Sequence, residues 1–305
     1  MGWKRKWAQD TLKAALPFQD SLRQLKRRLL PYQTHPGFDE FTFEQGLEQV
    51  RLLAEAGAPL AGRTVLELGT GWQPLIPLLY RVAGAAHVTL TDQERLMDPH
   101  TVANAAAFLR QRRARIIECL GLTEVDFEKR LQLPTTTDLS SLLDHLDMSY
   151  LVPYEIDRTP TASVDVVTSR AVLEHIPPKV IEGLLVGFRR ILKPEGVTCH
   201  IVDNSDHWEH KDKSISRVNF LKFDDWMIGV LGLNVQNYQN RLRHFEYLEL
   251  VRRAGYDVIK EVGVVDESAL AAVSGLKLCA RYADRSPQEL AILTSYIVAR
   301  VRPQA

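Results

Sequence analysis

Two runs of residues carry chemistry by their types and spacing. In the first, Val65-Leu66-Glu67-Leu68 leads straight into Gly69-Thr70-Gly71. Two glycines one residue apart permit a tight turn and let the backbone come close to a ligand. The next acid at the end of an apolar stretch is Asp92, and a carboxylate there can accept both hydroxyls of a ribose. The second run is Asp203-Asn204-Ser205-Asp206-His207-Trp208-Glu209-His210. A carboxylate or imidazole held beside a nucleophile can take its proton. His207 and Asp206 are the candidate bases in this run, and His175 is a third from elsewhere in the chain. Asp203, Asp206, His207 and His210 are also metal-type ligands that could activate a diol. Their spacing matches no specific metal signature, so no metal is expected.

Two details narrow the ligand of the first run, which suits a dinucleotide or an adenosyl cofactor. Position 74 is Pro74, where the dinucleotide fingerprint has its third glycine, so a pyrophosphate loses the close helix packing that cradles it. Glu67 stands two residues before the first glycine and would repel a pyrophosphate. It suits a cationic amino group. A nicotinamide oxidoreductase is therefore disfavoured.

With those residues in place, the chain resembles the class I S-adenosylmethionine-dependent methyltransferases. Glu67-Leu68-Gly69-Thr70-Gly71 is similar to the family's first motif. Ser169-Arg170-Ala171-Val172-Leu173-Glu174-His175-Ile176-Pro177 resembles the stretch after the fourth strand. Leu192-Lys193-Pro194-Glu195-Gly196 resembles the turn before the fifth, with Glu195 in place of a glycine. The resemblance implies S-adenosylmethionine as cofactor. It places Gly69, Thr70 and Gly71 along the methionine part, with Glu67 beside them, and Asp92 on the ribose. Tyr154 and Glu155 would lie near the adenine, and Ser169 and Arg170 beneath the sulfonium. Asn204 would hold the amino-acid end of the cofactor or the acceptor. Tyr154 is also a candidate catalytic residue, since an aromatic face there, or at Trp208 or Phe220, stabilises a sulfonium. His200, inside a strand, reads as a core histidine.

The elements that must position these residues alternate. Apolar stretches at 63–68, 87–91, 150–154, 164–168, 196–202, 256–265 and 294–301 read as strands. Helical spacing appears over 41–57, 75–82, 179–192 and 241–253, the last closed by Gly255. The expected fold is α/β: a Rossmann-like three-layer sandwich with a seven-stranded, mostly parallel sheet. Residues 1–60 read as a helical N-terminal cap, and 61–305 as the methyltransferase-like domain. Long insertions at 93–149 and 203–240 leave strand ends, where α/β ligands bind, so the acceptor is expected between the cap and both insertions.

Composition bounds the partners. The 305 residues carry 38 Lys+Arg and 38 Asp+Glu, a formal net charge of zero. With no basic groove, nucleic acid is not an expected partner; a small molecule is. No apolar run of membrane-spanning length occurs. Neutrality hides an asymmetry, because 1–30 hold eight Lys/Arg and two acids. Leu12, Leu16, Leu22, Leu25 and Leu29 recur there at helical spacing around Pro17, so two short basic amphipathic helices are expected. Their simplest use is docking on the acidic remainder, and peripheral membrane contact is the second. Cys119, Cys199 and Cys279 form no Cys-x-x-Cys pair, which favours a reducing cytoplasm.

The expected activity is methyl transfer to a small-molecule acceptor. The rival on the same fold is a non-methylating reaction, in which the cofactor's own amine attacks and methylthioadenosine leaves, because fold does not fix function. A non-catalytic, partner-binding protein is the third reading.

Overall fold

The computed structural model describes residues 36–303 apart from 137, 211 and 228–237, so the basic helices expected in 1–30 lie outside the described residues. The chain enters at helix α1 (Pro36–Glu55). Phe43, Leu47, Val50 and Leu53 recur at helical spacing and all are buried, so this helix lies on the core by one apolar face.

Strand β1 (Thr64–Leu68) runs through the glycine loop into α2 (Leu75–Val82), where every residue but Arg81 is buried. β2 (His87–Thr91) follows. Four helices then fill the first insertion: α3 (Pro99–Gln111), α4 (Arg113–Leu120), α5 (Glu124–Arg130) and α6 (Leu139–His145). Aspartate or threonine caps start three of them: Asp98, Thr123 and Asp138 accept from backbone N–H groups three residues on.

β3 (Met148–Leu151) is shorter than the expected 150–154 strand. Pro153 has no N–H to give a ladder, so Tyr154 and Glu155 lie beyond the strand. A single 3₁₀ turn (Ile156–Arg158) leads to β4 (Val164–Arg170), and a second (Leu173–His175) to α7 (Pro178–Ile191). β5 (Leu192–Asp203) begins earlier than expected, so the 192–196 stretch read as a turn belongs to the strand. Then come α8 (His244–Arg253), β6 (Tyr256–Val265), α9 (Glu267–Ser274), α10 (Pro287–Leu290) and β7 (Ile292–Val301).

The sheet order is β3-β2-β1-β4-β5-β7-β6, with β1 to β5 parallel and β7 antiparallel to β5 and β6. The seven-stranded, mostly parallel Rossmann-like sandwich is thus the observed fold. One apolar cluster joins α1–α6 to the sheet, and another joins α7 and α8 to its other face. β1 and β4 are buried on both faces, which is why they read as continuous apolar runs.

The first insertion uses its arginines to clamp α1. Arg112 pairs with Glu40, and Arg115 reaches Glu44 at 2.6 Å. Arg112 also lies over the Phe108 ring, 3.5 Å from its centroid. The three cysteines are free thiols. Among the described residues, no helix is long and apolar enough to cross a membrane.

Candidate active site

The carboxyl ends of β1, β4 and β5 meet at a cavity of about 570 Å³. This is where ligands bind in open α/β sheets. Its first wall is one stretch of chain. Gly69 and Gly71 both adopt left-handed backbone, φ 71° and 73°. A Cβ on Gly69 would stand 2.6 Å from Val172 Cγ2, so position 69 admits only glycine. The N–H groups of Gly69 and Thr70 both donate to the Thr91 carbonyl, pinning the loop to the end of β2.

Glu67 faces this cavity from inside β1 with 4% of its surface exposed, and its Oε2 has no partner among the described residues. Burial pushes its carboxyl up to about 8, against the opposing pull of the nearby Thr70 hydroxyl and of Arg170. A buried carboxyl with a bare oxygen, beside a glycine cradle, fits a cationic amino group. Asp92 sits behind the loop. Its Oδ2 accepts from the Gly71 N–H at 2.9 Å and its Oδ1 from the Gln93 N–H at 2.7 Å.

The second wall is assembled from two chain segments. Ala171, at the end of β4, takes φ 53°, a strained conformation for a residue with a Cβ. It turns the chain into the 3₁₀ turn that carries Glu174 and His175. Glu174 is 1% exposed, and burial, with repulsion from Asp203, raises its carboxyl to about 8. One oxygen accepts the Asp203 N–H at 3.4 Å; the other, Oε2, has no partner among the described residues. His175 Nδ1 lies 3.0 Å from the Tyr238 carbonyl. A carbonyl only accepts, so Nδ1 carries the proton and Nε2 keeps a free lone pair. Burial lowers the His175 basicity, which favours the neutral ring.

From the end of β5, Asp203 Oδ2 comes within 3.3 Å of His207 Nε2. Burial alone would raise the Asp203 carboxyl, yet the nearby His207 ring and the bond from the Ser205 N–H hold it well below the usual carboxylate range. The His207 ring lies 5.0 Å from His175 and is stacked on His210 at 5.1 Å.

Of the residues singled out in the sequence, Glu67, Gly69, Thr70, Gly71, Arg170, His175, Asp203, His207 and His210 line this one cavity. The others stand elsewhere. Ser169 lies beneath the floor, bonded to His200 Nδ1 at 2.8 Å, and His200 is the buried core histidine expected. Asn204 turns away, donating to Ser295 Oγ at 2.6 Å and to the Ile292 carbonyl at 3.3 Å. Asp206 folds its own loop by accepting the Trp208 N–H at 2.9 Å. Tyr154 and Glu155 line a second cavity of about 580 Å³ with Thr89 and Pro153.

The cap contributes more than its sequence suggests. Phe38, Phe41, Thr42 and Gln45 of α1 line the main cavity, and Arg170 is held by Gln45 Oε1 at 2.8 Å under the Phe38 ring. No described residue of 93–149 lines it, so that insertion shapes the site only through α1. Arg243 was equally hidden. It is fully buried and donates to the carbonyls of Asn204, Leu290 and Ile292, tying the loop after β5 to the start of β7.

This fold, with a glycine-cradled buried acid at the end of β1, defines a class I methyltransferase-type protein. The model of the methyltransferase-domain family matches residues 21–261, and the chain belongs to that family. Its cofactor is S-adenosylmethionine. No curated protein matches the chain. Among solved structures, it is similar to a chain of the complex between the Haloferax volcanii Trm112 methyltransferase activator and a methyltransferase. The identity is 19%, over 88% of this chain and 95% of that one, with a TM-score of 0.46. An S-adenosylmethionine-dependent methyltransferase from Mesorhizobium loti is 14% identical over 83% and 99%, TM-score 0.45. The [4+2]-cyclase SpnF is 15% identical over 87% and 81%, also 0.45. Such likeness concerns the fold and says nothing of the acceptor.

Proposed function

We propose that the chain transfers the methyl group of S-adenosylmethionine to an oxygen or nitrogen nucleophile of a small molecule. The observation that carries this reading is the single cavity with two unlike walls: the glycine loop with Glu67 on one side, and the Glu174–His175–Asp203–His207 corner on the other.

When bound, the cofactor supplies an electrophilic methyl group. Everything else falls to this chain. Glu67 receives the amino group of the methionine part, and Gly69 to Gly71 let the backbone lie close along it. Asp92 takes the ribose hydroxyls, since each carboxylate oxygen keeps a lone pair beyond its loop bond. The Tyr154 N–H donates to the Asp92 carbonyl at 2.9 Å, which keeps Tyr154 and Glu155 on the adenine side. Arg170, with Ser169 below it, forms the floor. The phenylalanines of α1 cover an acceptor of modest size and partly apolar character.

At the other wall, His175 is the proton acceptor, with its tautomer set by Tyr238. His207 is the second imidazole, held by Asp203. Methyl transfer requires the nucleophile in line with the sulfonium, and the two facing walls of the cavity would hold it there. Asn204 and Asp206 serve by holding the loop rather than by touching the acceptor.

The test is product analysis. With cofactor and a panel of hydroxyl- and amine-bearing small molecules, adenosylhomocysteine is expected to form only when an acceptor is present. Methylthioadenosine from cofactor alone would instead establish the cyclisation or lyase chemistry and overturn the transfer reading.

A further inference from the structure

The acceptor wall holds a feature that proton transfer does not use up. Glu174, His175 and His207 each offer a ligand atom, and the three atoms lie within 4.8 Å of one another. They converge from different places: Glu174 and His175 from the 3₁₀ turn after β4, His207 from the loop after β5. No spacing in the sequence joins them, which is why the Asp203–His210 run alone shows no metal pattern.

Three observations distinguish this cluster from a chance meeting of polar groups. Glu174 is 99% buried by its 1% exposure, and it points a partnerless Oε2 at the cavity. A buried carboxyl oxygen with no partner among the described residues is costly, and a cation in the cavity would satisfy it. His175 gives its Nδ1 proton to a backbone carbonyl, the outer bond that metal-bound histidines make, and so presents Nε2 inward. Asp203 Oδ2 stands 3.3 Å from His207 Nε2, a negative charge that favours a cation at this corner.

From this we infer that Glu174, His175 and His207 form a binding site for one divalent transition-metal ion on the acceptor wall of the cavity. Two imidazoles and one carboxylate suit ions such as Zn²⁺, Mn²⁺ or Fe²⁺ better than Mg²⁺ or Ca²⁺, which prefer all-oxygen shells. The set occupies one side of an ion and leaves the cavity side for an acceptor oxygen. The inference rests on the methyl-transfer reading only for its purpose there. A coordinated hydroxyl loses its proton more readily, and the ion would then take over the activation assigned above to His175.

The experiment measures binding, without cofactor or acceptor. Untagged full-length protein is stripped with chelator and dialysed against Zn²⁺, and the bound metal is counted by elemental analysis. About one equivalent is expected. Glu174→Gln and His175→Ala should each weaken it at least about tenfold, while His100→Ala, an exposed histidine of α3, leaves it unchanged. A second measurement covers variants that fail to fold. Co²⁺ bound to the wild type should show the intense visible bands of a low-symmetry nitrogen–oxygen site. Stoichiometry well below one, equal affinity in Glu174→Gln and His175→Ala, or a weak spectrum like that of the hydrated ion overturns the inference. Any of these leaves methyl transfer standing, because adenosylhomocysteine formation is read separately. Conversely, metal binding without transfer would remove the proposed function and keep the site.

Discussion

The two walls of the cavity are built in opposite ways. The cofactor wall is contiguous: Glu67, Gly69, Thr70 and Gly71 follow one another through a strand end and a turn, and local geometry places them. The acceptor wall is a meeting of distant segments. Glu174 and His175 reach Asp203 and His207 only because β4 and β5 pair in parallel, with Arg170 beside Ile201. A contiguous site depends on backbone conformation at single residues. An assembled one depends on sheet register and on buried fasteners such as Arg243. The first suits a cofactor of fixed shape; the second can be rebuilt for a new acceptor without touching the first.

Substitutions can break this division or sharpen it. The largest effect is expected from Gly69→Ala. Its methyl meets Val172 at 2.6 Å, and its φ of 71° is strained for alanine, so cofactor affinity should fall at least about 100-fold by calorimetry. Next is His175→Ala on the opposite wall. Turnover should drop about 100-fold or more while the cofactor Kd stays within about twofold. If both parameters move together, the walls are not separable and the comparison fails.

Glu67 yields a pH signature. Its carboxyl is raised to about 8 by burial, so it holds its proton near neutrality. A cationic amino group favours the ionised form, so cofactor binding should release a proton. Affinity is then expected to rise from about pH 6 to about pH 8, and to gain nothing above, where the ligand's own amine deprotonates. Calorimetry in buffers of different ionisation enthalpy reads the proton, and Glu67→Gln should remove both the release and the pH dependence. A pH-independent wild type would mean that Glu67 does not meet the amine.

Arg243→Met tests the fasteners. It takes a donor from the carbonyls of Asn204, Leu290 and Ile292, of which Ile292 keeps a second from Asn204, so stability should fall by about 1–3 kcal/mol in denaturant unfolding. Turnover should suffer more than cofactor affinity, because the loop after β5 carries only the acceptor wall. The smallest effect belongs to Asp206→Asn. Burial raises this carboxyl to about 6, above an ordinary 3.8. Its contribution to stability is therefore greatest below about pH 3.8 and is lost as the pH rises to about 6. The variant should flatten that slope in thermal melting and change turnover less than about threefold. A large loss of activity would return Asp206 to the acceptor wall.

Some of this was legible in the residues themselves. The strands at 87–91 and 256–265 show their limits in the sequence, because a β-branched or apolar run between turn residues has one reading. The glycine loop was equally plain. Tyr154 was harder, since the end of β3 is set by where Pro153 interrupts pairing with β2. Asp206 looked as catalytic as His207, and Asn204 looked like a ligand-holding residue; only the direction of each side chain separates them from His207.

The sequence by itself determined the sheet and the glycine loop, because those rest on periodicity and on backbone freedom at consecutive positions, and its motifs implied the cofactor through the family they resemble. Tertiary structure decided the acceptor wall. Which of several acids and imidazoles face one another, that α1 rather than the first insertion lines the cavity, and that Arg243 has only carbonyls to bind all follow from parallel pairing and helix docking. Contacts between residues about thirty positions apart leave no local trace in the chain, and the acceptor wall is closed by them.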